Sequence, residues 1–254
     1  MCCKTDPKKV IVHVVSLSLI GMPPKGSYVS AKESNTRLIA KVIFGVLFQF
    51  PFLFLPAGTL DWPAAWLYLL FFACYALAVT LYLKRKNPGL LRRRTSYRMP
   101  EKGWDKLFVI ASTIVCLAMF VIAPLDAVRY RWSQVPLALE ALGFAGIAFS
   151  LVVVFLVMRE NAYLFRTVQV ENGQTLVTTG PYRIVRHPMY TSFITMFFCI
   201  PLALGSFYAL IPSTLLAASL ALRTHFEDKE LHDELKGYAE YAKKTRYRLI
   251  PRVW

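Results

Sequence analysis

Six apolar segments set the limits on what this chain can fold into. They run from Leu38 to Leu55, Pro63 to Leu83, Leu107 to Pro124, Val135 to Met158, Tyr190 to Leu204 and Ser206 to Leu222. The first four approach or exceed the ~20 residues that a helix needs to cross ~30 Å of hydrocarbon. The last two are shorter and meet at Gly205, just after Pro201, which predicts a tight helical hairpin rather than one unbroken helix. With 56% hydrophobic residues and a mean hydropathy of +0.44, the chain is too apolar for a soluble domain. The expected fold is therefore all-α: a polytopic integral membrane protein with about six transmembrane helices.

The loops test that count. Lys and Arg number six before the first segment, none in 56–62, nine in 84–106, two in 125–134, four in 159–189, none at the Gly205 turn and eight after Leu222. Rich and poor loops alternate without exception. By the positive-inside rule both termini, the loop at Lys84 and the loop around Gly180 are expected to be cytoplasmic. The formal net charge of +15 would suggest nucleic acid in a soluble protein. Here the basic residues sit between apolar blocks, so topology and anionic membrane lipid account for them and nucleic acid is not expected. Trp62, Trp66, Trp104, Tyr130 and Trp132 fall near expected interfaces, as an aromatic belt would.

The chain divides into three parts: a basic, interfacial segment over 1–37, four transmembrane helices over 38–158, and a cofactor-binding region over 159–254. In the first part, Val10 to Ile20 is too short to span a bilayer and is read as an interfacial helix; Met22 is an alternative start. Cys2, Cys3, Cys74, Cys116 and Cys199 have no metal-type spacing beyond the adjacent pair, and no metal site is expected. Of the acids within apolar segments, Glu140 lies toward the outer end and is read as interfacial.

Function concentrates in Gly180-Pro-Tyr-Arg-Ile-Val-Arg-His-Pro-Met-Tyr190, between the polar run Glu171 to Thr175 and an apolar segment. Gly180-Pro181 is a turn signal. Pro188 suits the first position of a helix, and a helix start offers N–H groups and partial positive charge to a carboxylate or phosphate. Arg183, Arg186 and His187 add donors, and Tyr182 and Tyr190 add rings. After Leu222 the chain turns amphipathic, and Arg223 and Glu227 share a helix face. Taken alone, each of these is equally an ordinary interface or an ordinary ion pair.

Together they resemble a known family. Leu176 to Tyr190, followed by a helical hairpin, Arg223, Glu227 and Asp228, then Gly237, Tyr238 and Tyr241, then Arg248-Leu-Ile-Pro251, is similar to the signature of the isoprenylcysteine carboxyl methyltransferases and their phospholipid methyltransferase relatives. These are integral-membrane enzymes that use S-adenosylmethionine. The resemblance covers about Gln169 to Trp254 and departs at Asp228, where a second Glu is common; the shorter side chain weakens any role for that acid and leaves Glu227 intact. It implies that Gln169, Gln174, Thr175, Leu176, Val177, Tyr182, His187, Pro188, Met189, Tyr190 and Glu227 contact S-adenosylmethionine. It implies that Arg223 faces a lipophilic methyl acceptor, such as a prenylcysteine carboxylate or a lipid, and that Arg223 and Glu227 form the catalytic pair. The Gly180 loop, the hairpin and the C-terminal helix would build the pocket. The tail Tyr247 to Pro251 is also similar to that of NADPH-dependent membrane sterol reductases, the competing enzyme class. A non-catalytic membrane scaffold or transporter is a third reading; against transport, no paired broken helices mark two matching halves.

Overall fold

The computed structural model describes residues 35–95, 103–161 and 176–254, and these residues are helical with no strand. The expectations for residues 1–34, including the interfacial helix and the alternative start, lie outside that range, as do Gln169, Gln174 and Thr175.

The first apolar segment forms α1 (Asn35–Leu47) and α2 (Gln49–Ala57). Phe48 joins them, and its N–H still reaches the Phe44 carbonyl at 2.9 Å, so the ladder continues. Gly58 ends α2 in the left-handed region, φ +72°, with its N–H on Phe54 O; only glycine takes that conformation without a penalty. Helix α3 (Pro63–Lys86) starts on a proline and ends in Lys84-Arg-Lys86. Asn87 Oδ1 then accepts from the Leu90 N–H at 3.0 Å, capping α4 (Pro88–Thr95). Helix α5 (Gly103–Pro124) runs into a π-helical turn (Leu125–Tyr130). Helix α6 (Leu137–Glu160), α7 (Pro188–Ala203), α8 (Leu210–Glu234) and α9 (Tyr238–Lys244) complete the order, with a 3-10 turn (Gly180–Arg183) before α7.

Among the described residues, three helical stretches are long and apolar enough to cross a membrane: 63–86, 103–130 and 137–160. The stretches 43–57 and 188–203 are apolar but shorter. Large apolar side chains also point outward. Leu67, Leu70, Leu77 and Leu81 of α3 and Leu142, Phe149 and Val152 of α6 are all exposed, which suits a lipid surround and would be a liability in water. Trp62 departs from the belt expectation, because it packs inward against Phe54 and is buried.

Helices α6 and α7 pack at backbone distance. A Cβ on Gly143 would lie 2.5 Å from Ala203 N and 2.8 Å from Cys199 O, and one on Gly146 would collide with Cys199 Sγ. Glycines at such a contact let helices approach where no hydrophobic effect drives them together. The far end of the hairpin is pinned by Asp126, which is fully buried. It accepts from Ser133 N–H and Oγ–H at 2.8 and 2.7 Å, from Ser206 Oγ–H at 2.6 Å and from Tyr208 N–H at 3.1 Å. The expected tight hairpin is thus present, with Gly205 at φ +79° in its turn. Helix α8 continues without a break from the apolar Leu210–Leu222 stretch into the charged Arg223–Glu234 stretch, which carries Arg223 and Glu227 to the start of α7.

Candidate functional site

Pro188 is the first residue of α7, as its missing N–H favours, and His187 caps it. Arg186 and His187 were expected to offer their N–H groups to a ligand. They donate instead to the carbonyls of Tyr247 and Arg248, both at 2.9 Å. Thr191 Oγ1–H reaches the Leu249 carbonyl at 2.7 Å. The C-terminal tail therefore runs along the start of α7 and uses its donors.

Asp228 is the centre of that arrangement. Its carboxylate accepts from Arg186 Nε and Nη2 at 2.8 and 3.1 Å, from Arg248 Nε at 2.8 Å and from the Tyr238 hydroxyl at 2.7 Å. His187 Nε2 lies 3.3 Å away. Arg186 Nη1 is spent on the carbonyls of Thr245 and Arg246. Burial alone would raise the Asp228 carboxyl, but hydrogen bonds from His187, Arg186 and Tyr238 together hold it well below the usual carboxylate range. The Tyr238 hydroxyl is pushed up by burial and then by the Asp228 charge. This network ties the Gly180 loop, α8, α9 and the tail into one unit.

Glu227 points to the other side. It is half-buried, and among the described residues its carboxylate accepts one hydrogen bond, from the Tyr190 hydroxyl at 2.5 Å. Oxygen lone pairs remain for a ligand. Tyr190 lies parallel to the His187 ring, with centroids 5.8 Å apart and 3° between planes. Arg223, one turn before Glu227, is buried; it interacts with Tyr190 and pairs with Asp105 of α5, Nη1 to Oδ1 at 3.0 Å. Tyr182 packs between the main core and a small cluster made by Leu235, Tyr238, Tyr241 and Leu176. Its hydroxyl accepts from Asn161 Nδ2 at 2.9 Å, and its carbonyl accepts from the Tyr241 hydroxyl at 2.7 Å. Burial pushes the Tyr241 hydroxyl up to about 12.

The structure thus brings Tyr182, His187, Pro188, Met189, Tyr190, Arg223 and Glu227 together. Leu176 joins them through the Tyr238 cluster, and Val177, half-buried, follows it in the chain. One residue was underrated by the sequence reading and two were missed. Asp228 was discounted for its short side chain, yet that length suits the Arg186 fork. Asp105 lies just before the third apolar segment and was counted with a basic loop. Arg94, in α4, is buried and donates to Met189 Sδ at 3.4 Å. Its signal was the Arg92-Arg-Arg94 run after a pair of leucines, Leu90 and Leu91, which are both buried.

Two cavities reach this end of the bundle. One, about 200 Å³, lies among the helices and is mainly apolar; Tyr75, Val79, Leu91, Met158 and Met196 line it, with Arg94 at its polar limit. The other, about 320 Å³, is a groove between α5 and α8 lined by Trp104, Leu107, Phe108, Leu215, Leu222 and Arg223. Leu107, Leu215 and Leu222 are well exposed, so the groove opens where lipid would lie, and Arg223 and Ser112 are buried polar residues of its lining.

Residues 139–235 match the family model described as phospholipid methyltransferase. The matched stretch contains nearly all of α6, the Gly180 turn, α7 and the whole of α8, and so holds His187, Tyr190, Arg223 and Glu227. The match implies methyl transfer at a membrane. No curated protein matches the chain.

Proposed function

On the premise of a phospholipid-methyltransferase region at residues 139–235, we propose that this chain is an S-adenosylmethionine-dependent methyltransferase acting on a lipophilic acceptor, with the carboxylate of an isoprenylcysteine as the preferred acceptor. The observation that carries the reading is the convergence of Glu227, Tyr190, Tyr182 and Arg223 beside a groove that opens toward lipid.

The residues fit such a cofactor. Glu227 has acceptor capacity for its hydroxyl or amino groups, and Tyr182, His187 and Tyr190 offer flat faces for a ring. Leu176 and Val177 would form an apolar edge, and Met189 would contribute a thioether. The three candidates outside the described residues, Gln169, Gln174 and Thr175, would complete the contacts. When bound, S-adenosylmethionine would supply a methyl group already activated on a cationic sulfur. The task left to the protein is alignment and exclusion of water. Arg223 would orient an acidic acceptor through its planar fork of donors. A carboxylate is anionic at neutral pH, so Glu227 need not act as a base for it. The basic loops support a site on the cytoplasmic face.

A phospholipid amine is the second reading, favoured by the family description. Glu227 and His187 are then the nearest groups to take a proton from the attacking nitrogen. Calorimetry on the detergent-purified protein tests the proposal. S-adenosylmethionine should bind the wild type and Arg223→Ala but not Glu227→Ala, and Arg223→Ala should lose turnover of a farnesylcysteine acceptor. Binding of NADPH in place of S-adenosylmethionine would replace the proposal with a reductase. Turnover of phosphatidylethanolamine but not of the farnesylcysteine would move it to the second reading.

A further inference from the structure

The inner cavity is long and narrow. On α3 its wall runs from Tyr68 to Leu83, a rise of about 22 Å along a helix. Its volume of about 200 Å³ is less than the ~300–1,000 Å³ of an ordinary ligand pocket. Phe120 of α5 packs on Tyr68 at one end, with ring centroids 5.8 Å apart, and apolar side chains of α6 and α7 close the sides. That shape suits one hydrocarbon chain and excludes the two chains of a diacyl lipid.

The end beyond Leu83 carries the charge. Helix α4 follows α3 directly and brings Arg94 into the lining. Arg94 is buried and donates to Met189 Sδ at 3.4 Å, and Tyr75, Tyr182 and Tyr190 act on its charge. The cavity therefore ends at residues assigned to the cofactor. Arg223 acts on the same Tyr190 from α8. Tyr75 also lines the cavity. Its hydroxyl is buried and, among the described residues, has no hydrogen-bond partner. A guanidinium only donates and a hydroxyl is free to donate with it, so the two suit an acceptor that carries negative charge. A desolvated positive charge draws an anion and repels an ammonium.

We propose that the inner cavity takes the hydrocarbon chain of a single-chain carboxylate amphiphile, and that Arg94 and Tyr75 receive its carboxylate at the end nearest Tyr190. The inference rests on the reading of the protein as a methyltransferase of lipophilic acids. It puts the acceptor chain inside the bundle rather than in the α5–α8 groove, and it gives the carboxylate a second guanidinium besides Arg223.

The test uses the full chain in phosphatidylcholine nanodiscs and two photoactivatable probes of equal length, palmitate and hexadecanol, each with a diazirine at the chain end. Peptide mass spectrometry at subsaturating probe reads where each attaches and in what yield. With the carboxylate at Arg94, the chain end points toward Tyr68 and Phe120, and palmitate adducts should fall there. Tyr75→Phe removes an oxygen that has no partner, so the thermal midpoint should hold or rise. The palmitate yield should nevertheless fall roughly tenfold, the worth of a hydrogen bond to a charged group. Arg94→Gln should lower it at least as far, and hexadecanol should stay close to wild type in both. If Arg94→Gln does not fold, Tyr75→Phe decides. Palmitate adducts confined to the groove at Leu215 and Leu222, no palmitate adducts, a palmitate yield unmoved by Tyr75→Phe, or an equal loss of both probes overturns the inference. S-adenosylmethionine binding is measured in the same discs. Its absence from the wild type would remove the proposed function and leave the cavity a fatty-acid site, whereas an overturning result with intact cofactor binding removes only the role of the cavity.

Discussion

Replacing Asp228 by Asn tests whether the start of α7 is held by protein rather than by ligand. The carboxylate receives donors from Arg186, Arg248 and Tyr238 and lies against His187. Asn keeps the volume and one carbonyl, but it removes the negative charge and brings an NH2 toward two guanidinium groups. Breaking a buried pair by removing one partner costs about 3–5 kcal/mol. Two observations place the result toward the lower end. Arg186 keeps its bonds to the Thr245 and Arg246 carbonyls. The Arg248 side chain is 28% exposed, so solvent screens its share. A loss of about 3 kcal/mol corresponds to a fall of roughly 6–12 °C in thermal midpoint for a chain of this size. A thiol-reactive dye that reports exposure of buried Cys116 follows the transition in detergent. Acid gives an independent check. The Asp228 carboxyl is depressed in the folded state, so its contribution is fully present above the unfolded carboxylate value, about 3.9, and is lost as pH falls from there toward the folded value. The wild-type midpoint should therefore fall more steeply than that of Asp228→Asn below about pH 5, and the two curves should converge in acid. Equal midpoints at neutral pH, or a gap that does not narrow with acid, would refute the reasoning.

Gly143→Ala should lower the thermal midpoint through overpacking of about 1–3 kcal/mol, because the added Cβ meets the α7 backbone at Ala203 and Cys199. An unchanged midpoint would mean that α6 and α7 do not approach so closely. Tyr190→Phe should weaken S-adenosylmethionine binding by roughly tenfold with little change in midpoint, since it removes the one described hydrogen bond to Glu227. Calorimetry reads it, and undiminished affinity would show that Glu227 needs no such orientation.

The apolar blocks made the helices legible. The segment Pro63 to Leu83 became α3 with the same first residue, and Tyr190 to Leu204 became α7 shifted by one or two residues. Length, apolar content, Pro188 and Gly205 are local signals, and they sufficed. Pairing of charges was not legible, because it joins elements far apart in sequence. Arg223 and Glu227 share a face as their spacing predicts, but the buried partner of Arg223 is Asp105, a residue of α5. An acid in the first turn of an apolar helix is a functional candidate by its cost alone. That argument was spent on Glu140, whereas Asp105 was hidden among the basic residues before Leu107. Asp228 was likewise judged by its length, when its value lies in meeting Arg186, Arg248 and Tyr238 at once.

The tail changes how the start of α7 is to be understood. A helix start with arginine and histidine beside it reads as an anion seat. Here Arg186 and His187 give their backbone N–H groups to Tyr247 and Arg248, and Arg186 gives its side chain to Asp228 and two tail carbonyls. Arg248 returns to Asp228 and lies against the Trp254 ring at 5.3 Å. These donors are satisfied within the protein, so a cofactor carboxylate would gain little by displacing them. Recognition would fall to side chains on the opposite face, namely Glu227, Tyr190 and Tyr182. The Arg-His-Pro stretch would then act mainly by fixing α8, so that Glu227 and Arg223 are presented from a rigid helix. On this argument the stability lost in Asp228→Asn and the binding lost in Glu227→Ala are separable, although the two acids are neighbours in sequence.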